Sequence, residues 1–159
     1  MNPPARFHDP GHSRDHFTDT ILVRCPRCPA AARVADSKLV CPGCGLSRYA
    51  RESSPVFRYG PPTDPYFQLP LHLQTETRHG RLWAYNPEHL MLIRQFVAAP
   101  LRERAPWYEP GRKMTLLARL PAWVKRSKNR AEVLRAIDRM RAELLHLNGS
   151  AGSTRRNQG

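Results

Sequence analysis

The sequence predicts an α+β protein: a small N-terminal ribbon of short strands built around four cysteines, joined to a β-hairpin packed with three or four helices. Three observations carry that expectation. All four cysteines of the 159-residue chain fall in one stretch, Cys25-Pro-Arg-Cys28, then twelve residues, then Cys41-Pro-Gly-Cys44. Residues 66–77 (YFQLPLHLQTET) alternate apolar and polar, and a Gly-containing turn and a second apolar run follow them. Two later stretches, from Asn86 and from Arg130, open with helix-start signals and continue with apolar residues at helical spacing.

The cysteine spacing has a chemical reading. Two residues between cysteines let a tight turn aim both sulfurs at one ion, and two such turns complete the closed four-thiolate geometry of structural zinc. The expected cofactor is one structural Zn2+ on Cys25, Cys28, Cys41 and Cys44. Gly43 and Gly45 suit a turn that needs backbone freedom and close approach to sulfur. Two disulfides are the competing reading. A secreted disulfide domain is normally cysteine-dense and carries an export signal, whereas the N-terminal MNPPARFHDPGHSRDHFTDT lacks the apolar stretch of a signal peptide. An iron site with two such knuckles calls for a longer spacer.

The formal net charge is +13, supplied mainly by arginine; the lysines are Lys38, Lys113, Lys125 and Lys128. Such a balance favours polyanionic partners, nucleic acid first, against the plainer reading of a solvated basic surface. No apolar run is long enough to span a bilayer, so no membrane partner is expected and the expected location is cytoplasmic. The 16 prolines and 9 glycines point to many loops.

In chain order, residues 1–20 read as a disordered tail. His8, His12 and His16 recur every fourth residue within it, but Pro10-Gly11 argues against a shared helix. Residues 21–50 form the ribbon, with strands at 21–23, 31–34 and 38–40 and a turn at Asp36-Ser37. So small a module draws its folding energy largely from metal, on the order of 10–16 kcal/mol. Residues 51–65 read as a Pro-rich linker and 66–148 as an α+β domain. Within it, Leu69, Leu71 and Leu73 face inward on the first strand, Pro70 marks an edge, and Arg78-His79-Gly80 makes the turn. Asn86-Pro87-Glu88 starts a largely buried helix that Pro100 ends or kinks, with 101–104 continuing it as an exposed turn. Trp107 and Tyr108 read as lid residues, Lys113–Leu120 as a short helix, and Pro121 as the start of another turn carrying Trp123. Asn129 and Glu132 have the form of a capping box. The helix from Arg130 is expected to stop at Asn148-Gly149, with Val133, Ile137, Met140, Leu144 and Leu147 as its core seam. Residues 149–159 form a flexible basic tail.

The string CPRC…LVCPGCG resembles a zinc ribbon of the transcription factor IIB type. That resemblance covers the ribbon only. It implies a metal-held module that binds DNA, RNA, RNA polymerase or another protein. The strings LHLQTETRHGRLWAYNPEHL and RLPAWVKRSKNRAEVLRAIDRM resemble a bacterial family of zinc-ribbon-containing proteins of unsettled function, which brings no catalytic residues with it.

Two basic groups are candidate phosphate contacts: Arg33, Lys38 and Arg48 in the ribbon, and Lys125, Arg126, Lys128 and Arg130 at a helix N-terminus. Their plainer roles are a solvated loop for the second group and, for Arg24, Arg27 and Arg48, offsetting a four-thiolate zinc site of about −2 charge. His72, His79, Glu88 and His89 invite a nuclease reading. Yet these four form no His-x-x-x-His, and there are no paired carboxylates, nucleophile elbow or phosphate-cradling Gly-rich loop, so no enzyme is expected. The expected function is zinc-dependent, non-catalytic nucleic-acid binding or a transcription-associated role. The alternatives are an adaptor whose ribbon docks on a protein such as RNA polymerase and, third, a metal-dependent nuclease.

Overall fold

The computed structural model describes residues 6–103 and 115–153. Its elements in order are β1 (Arg6–His8), α1 (Arg14–Phe17), β2 (Ile21–Arg24), β3 (Ala31–Ala35), β4 (Lys38–Val40), β5 (Ser47–Tyr49), β6 (Leu73–Thr77), β7 (Gly80–Ala84), α2 (Pro87–Ala98), β8 (Leu101–Glu103), α3 (Ala122–Lys125), a 3-10 turn (Ser127–Asn129) and α4 (Arg130–Ser153). The architecture is α+β, with the cysteines in the first antiparallel sheet, ordered β2-β3-β4-β5.

That sheet follows from local chemistry. Asp36 and Ser37 take positive φ values of 50° and 60° between the paired Ala35 and Lys38. This is the left-handed two-residue turn whose twist matches a hairpin, and a short polar side chain tolerates it. The inner face carries Ile21, Val23, Ala32, Val34 and Leu39, all fully buried. β5 was not legible in the sequence. Its residues are all exposed and carry no apolar alternation, so only backbone pairing to β4 defines it.

The ribbon does not stand apart from the hairpin. The Leu22 N–H donates to the Tyr85 carbonyl (2.9 Å), the His72 N–H to the Leu22 carbonyl (3.0 Å) and the Arg24 N–H to the Pro70 carbonyl (2.9 Å). Val23 and Leu71 form a bridge between them. One apolar cluster runs from Val23 and Leu39 through Leu71, Leu73 and Leu82 to Leu90, Ile93, Val133, Ile137 and Met140. Burial of the ribbon's inner face in this shared core adds to whatever a metal contributes.

Segment 51–65 has the exposed, Pro-rich character expected of a linker over most of its length, but its end is fixed. Asp64 is completely buried. Its carboxylate accepts from the N–H groups of Tyr66 (2.8 Å), Phe67 (2.7 Å) and Leu69 (2.7 Å). The resulting bend, with Gln68 at φ 58°, shortens the expected strand: regular pairing begins at Leu73, not Tyr66. Leu71 and Leu73 are buried as their spacing predicts.

The N-terminal segment departs from the expected disordered tail. β1 pairs in parallel with β8, and Phe7 and Phe17 are buried. The anchor is Asn86. It caps α2 by accepting from the His89 N–H (2.8 Å), while its amide donates to the carbonyls of Phe17 and Thr20 (2.9 Å each). One side chain thereby starts a helix and holds residues 17–20 against it. β8 likewise replaces the exposed turn expected after Pro100, because β1 arrives as its partner.

The later helices also differ from expectation. Residues 116–119 form turns and 115 and 120 are not helical; residues 113–114 of the expected 113–120 helix and the Trp107-Tyr108 lid lie outside the described residues. Pro121 does precede α3, which carries Trp123. The capping box at 129–132 gives way to tertiary bonds. Asn129 is buried and donates to the Trp123 carbonyl (2.9 Å), and Glu132 meets Arg78 and His79 at the hairpin tip (3.1 and 3.2 Å). α4 continues through Asn148-Gly149 to Ser153, since a helical glycine costs only about 1 kcal/mol. Val133, Ile137 and Met140 form the buried part of the expected seam, with Leu144 half-buried.

Candidate metal centre

β2 ends at Arg24 and delivers Cys25; β4 ends at Val40 and delivers Cys41. Each knuckle is closed by backbone bonds: the Cys25 N–H to the Ala30 carbonyl (3.2 Å), the Cys41 N–H to the Leu46 carbonyl (2.9 Å) and the Gly45 N–H to the Cys41 carbonyl (2.9 Å). The Arg27 N–H points at the Cys25 sulfur (3.4 Å). The pairing of β3 with β4 sets the two knuckles side by side.

All four sulfurs lie within 4.8 Å of one another, with Cys25–Cys44 at 3.7 Å and Cys28–Cys41 at 3.5 Å. A tetrahedral ion with metal–sulfur bonds near 2.3 Å requires sulfur–sulfur edges of about 3.8 Å. A disulfide requires about 2.05 Å. The cysteines are unbridged and placed to bind a metal ion.

Electrostatics gives the same answer. At Cys25, burial pushes the thiol up, but the N–H groups of Arg27 and Cys28 and the sulfurs of Cys41 and Cys44 outweigh it, and the pKa falls to about 7. At Cys28 the Ala30 N–H pulls down, while burial and the three neighbouring sulfurs push harder, to about 12. Four thiols so close cannot all ionise without a cation among them, and a divalent metal removes that conflict.

The glycines do separate jobs. A Cβ on Gly43 would lie 2.6 Å from the Ala30 Cβ and 3.3 Å from the Cys28 sulfur, so the second knuckle can approach the first only without one. Gly45 faces open space but sits at φ +76°, where a side chain strains the backbone.

The predicted basic residues divide. Strand register and the pleat put Arg24, Arg33, Ala35, Lys38, Val40 and Tyr49 on the outer face of the ribbon sheet. Arg24 and Arg33 are exposed there, Tyr49 is 72% exposed, and the Lys38 ammonium lies 5.1 Å above its ring. Arg48 opposes Leu39 and so takes the other face, exposed at the edge. In the second group, Arg126 and Lys128 are exposed. Arg130 instead donates to the carbonyls of Val97 (3.0 Å) and Ala99 (3.3 Å), capping the C-terminal end of α2, and Lys125 bonds the Ala118 carbonyl. Backbone carbonyls thus occupy two of those four cations. Sequence gives no sign of this, because the carbonyls lie up to 33 residues away.

The histidines are not brought together. His79 sits at the hairpin tip, against Glu132 and stacked on Trp123 (5.7 Å). His72 lies before the other end of β6, about 17 Å of strand away. Burial and then the Arg24 charge lower its pKa. His89 is buried under Phe17 and Tyr85, its Nδ1 accepting from the Tyr85 N–H (3.1 Å), and burial lowers its pKa to about 4. Glu88 pairs with His16. His12 and His16 stack at 3.7 Å. No helix among the described residues is long and apolar enough to cross a membrane. Compared with known proteins, the chain matches no family model, no curated protein and no solved structure.

Proposed function

We propose that the chain is a non-catalytic zinc-ribbon protein that binds nucleic acid through the outer face of its ribbon sheet. Zinc suits the centre because four sulfurs at tetrahedral spacing fill every position and leave none for water or substrate, the hallmark of a structural site. The observation that carries the reading is the composition of that outer face. Arg24, Arg33 and Lys38 share it with exposed Tyr49, and no acidic residue stands on its strands. Cations interleaved with an exposed ring suit a phosphate backbone with unstacked bases. Each phosphate neutralised on a single strand contributes about −0.7 to the slope of log K against log salt.

The test uses the zinc-loaded full chain and fluorescein-labelled oligonucleotides, single-stranded and duplex, in an anisotropy titration at several salt concentrations. Binding that weakens with salt, and a shallower slope in Arg33→Gln/Lys38→Gln, support the reading. No binding at low salt removes it. A second reading rests on exposed Val40 (41%) beside Tyr49 on the same face, which suits an adaptor docking on a protein. A pull-down that survives nuclease treatment and is lost in Cys41→Ser would favour it.

A further inference from the structure

A cavity of about 600 Å³ opens where segment 57–63, β7, the start of α2 and the turns at 116–121 meet Arg14 of α1. That volume falls within the range of small-ligand sites, about 300–1,000 Å³. Its wall has two chemistries. Trp83 presents aromatic surface, with the buried rings of Tyr85 and His89 packed against it at 5.1 and 6.0 Å, and Arg14, Arg58 and Arg119 supply positive charge, while Arg81 is paired with Glu76. No acidic side chain lines it among the described residues.

Arg14 is the informative member. Its guanidinium lies 3.3 Å over the Phe57 ring, and its Nε is buried with no hydrogen-bond partner. A buried unpaired donor on a cation is costly, and such a group calls for an acceptor that the protein itself does not supply. Burial pushes the Tyr85 hydroxyl up while the charges of Arg14 and Arg119 pull it back, so both reach the same wall.

A second groove, lined by Arg24, Pro61, Gln74 and Glu76, shares Pro62, Thr63 and Arg81 with the cavity, and Arg81 is paired there with Glu76. Arg24 also stands on the outer face of the ribbon. The groove therefore links Arg24 of the ribbon sheet to the cavity mouth.

We propose that this cavity is a binding site for one unpaired nucleotide, its base against Trp83 and its phosphate on Arg14, Arg58 and Arg119. The proposal rests on the nucleic-acid reading and specifies it: a single strand crosses the ribbon, enters the groove at Arg24, and places a base in the cavity. An aromatic base and a phosphate are also what a free mononucleotide offers, so the test separates the two sources.

The experiment titrates zinc-loaded full-length protein with adenosine and cytidine monophosphates, a ten-nucleotide single strand, and the blunt duplex of the same sequence. Tryptophan fluorescence and anisotropy are read together. Arg58 and Arg119 are exposed, so Arg58→Gln/Arg119→Gln leaves the fold intact. Arg135→Gln/Arg139→Gln on exposed positions of α4 removes the same charge elsewhere. The expected result is preference for the single strand over the duplex, with tryptophan quenching and a loss of about tenfold or more in the cavity variant alone. Mononucleotides that compete with the strand and quench on their own assign the site to free nucleotides as well; mononucleotides that do neither assign it to strands. Single-strand binding equally affected by both double variants overturns the cavity proposal and leaves the ribbon reading standing. Mononucleotide binding without any oligonucleotide binding keeps the cavity and removes the ribbon reading. No binding of any probe overturns both.

Discussion

Replacing Asp64 with alanine tests how firmly the Pro-rich segment is built into the fold. Asp64 is 0% exposed, and its two carboxylate oxygens accept three backbone N–H groups at 2.7–2.8 Å. Alanine leaves all three donors without an acceptor. Each orphaned buried N–H costs about 1–3 kcal/mol, so with some relief from water the loss is about 3–6 kcal/mol. A domain of this size has only about 5–15 kcal/mol in total, so Asp64→Ala is expected to be close to unfolding at room temperature. Asp64→Asn is the sharper variant. Its carbonyl can keep the bonds to Tyr66 and Phe67, but its amide then confronts the Leu69 N–H, for a loss of about 1–3 kcal/mol. Urea denaturation of metal-loaded protein, followed by tryptophan fluorescence and far-ultraviolet circular dichroism, reads both. Equal midpoints for wild type and Asp64→Ala refute the reasoning and make 51–65 a loose tether. Equal losses in Asn and Ala would locate the effect in the charge and not in the acceptor geometry.

The remaining predictions concern the metal centre, His89 and the arginines. Gly43→Ala should weaken metal binding about 10–100-fold, and adding Ala30→Gly should recover part of it, since the 2.6 Å contact is between two Cβ atoms; competition with a chromogenic chelator measures both. Gly45→Ala has no such clash and should cost about 1–2 kcal/mol of stability through backbone strain, read as a shifted urea midpoint that Ala30→Gly does not repair. The folded pKa of His89, about 4, lies below the unfolded value near 6.5, so the unfolded chain binds the extra proton; stability contributed by neutral His89 is complete above pH 6.5 and declines by about 3 kcal/mol as pH falls to 4. Urea midpoints across that window should therefore fall faster in wild type than in His89→Gln, and parallel curves would contradict the assignment. Arg130→Gln should destabilise by about 1.5–3 kcal/mol by uncapping α2, while exposed Arg126→Gln should stay within about 0.5 kcal/mol; equal thermal shifts in the two would refute the cap.

The metal centre was almost wholly present in the sequence, because its geometry is local. Two residues between cysteines fix a turn, and a short spacer containing Asp36-Ser37 fixes the hairpin that pairs the turns. The start of α2 was legible for the same reason, as Asn86, Pro87 and the first helical turn are neighbours in the chain. What tertiary structure decided depended on partners distant in sequence. Asn86 turned an apparent tail into packed structure by bonding residues 17 and 20, and Glu132 left its capping box for the hairpin tip. Asp64 looked like one more linker residue until its carboxylate met three N–H groups on a bend that no periodicity announces. Arg130 and Arg126 are the same residue type four positions apart, yet one caps a helix and the other meets solvent. Short-range sterics and turn chemistry are written in neighbouring residues. The choice among competing hydrogen-bond partners is made only when the core closes and removes water from some of them.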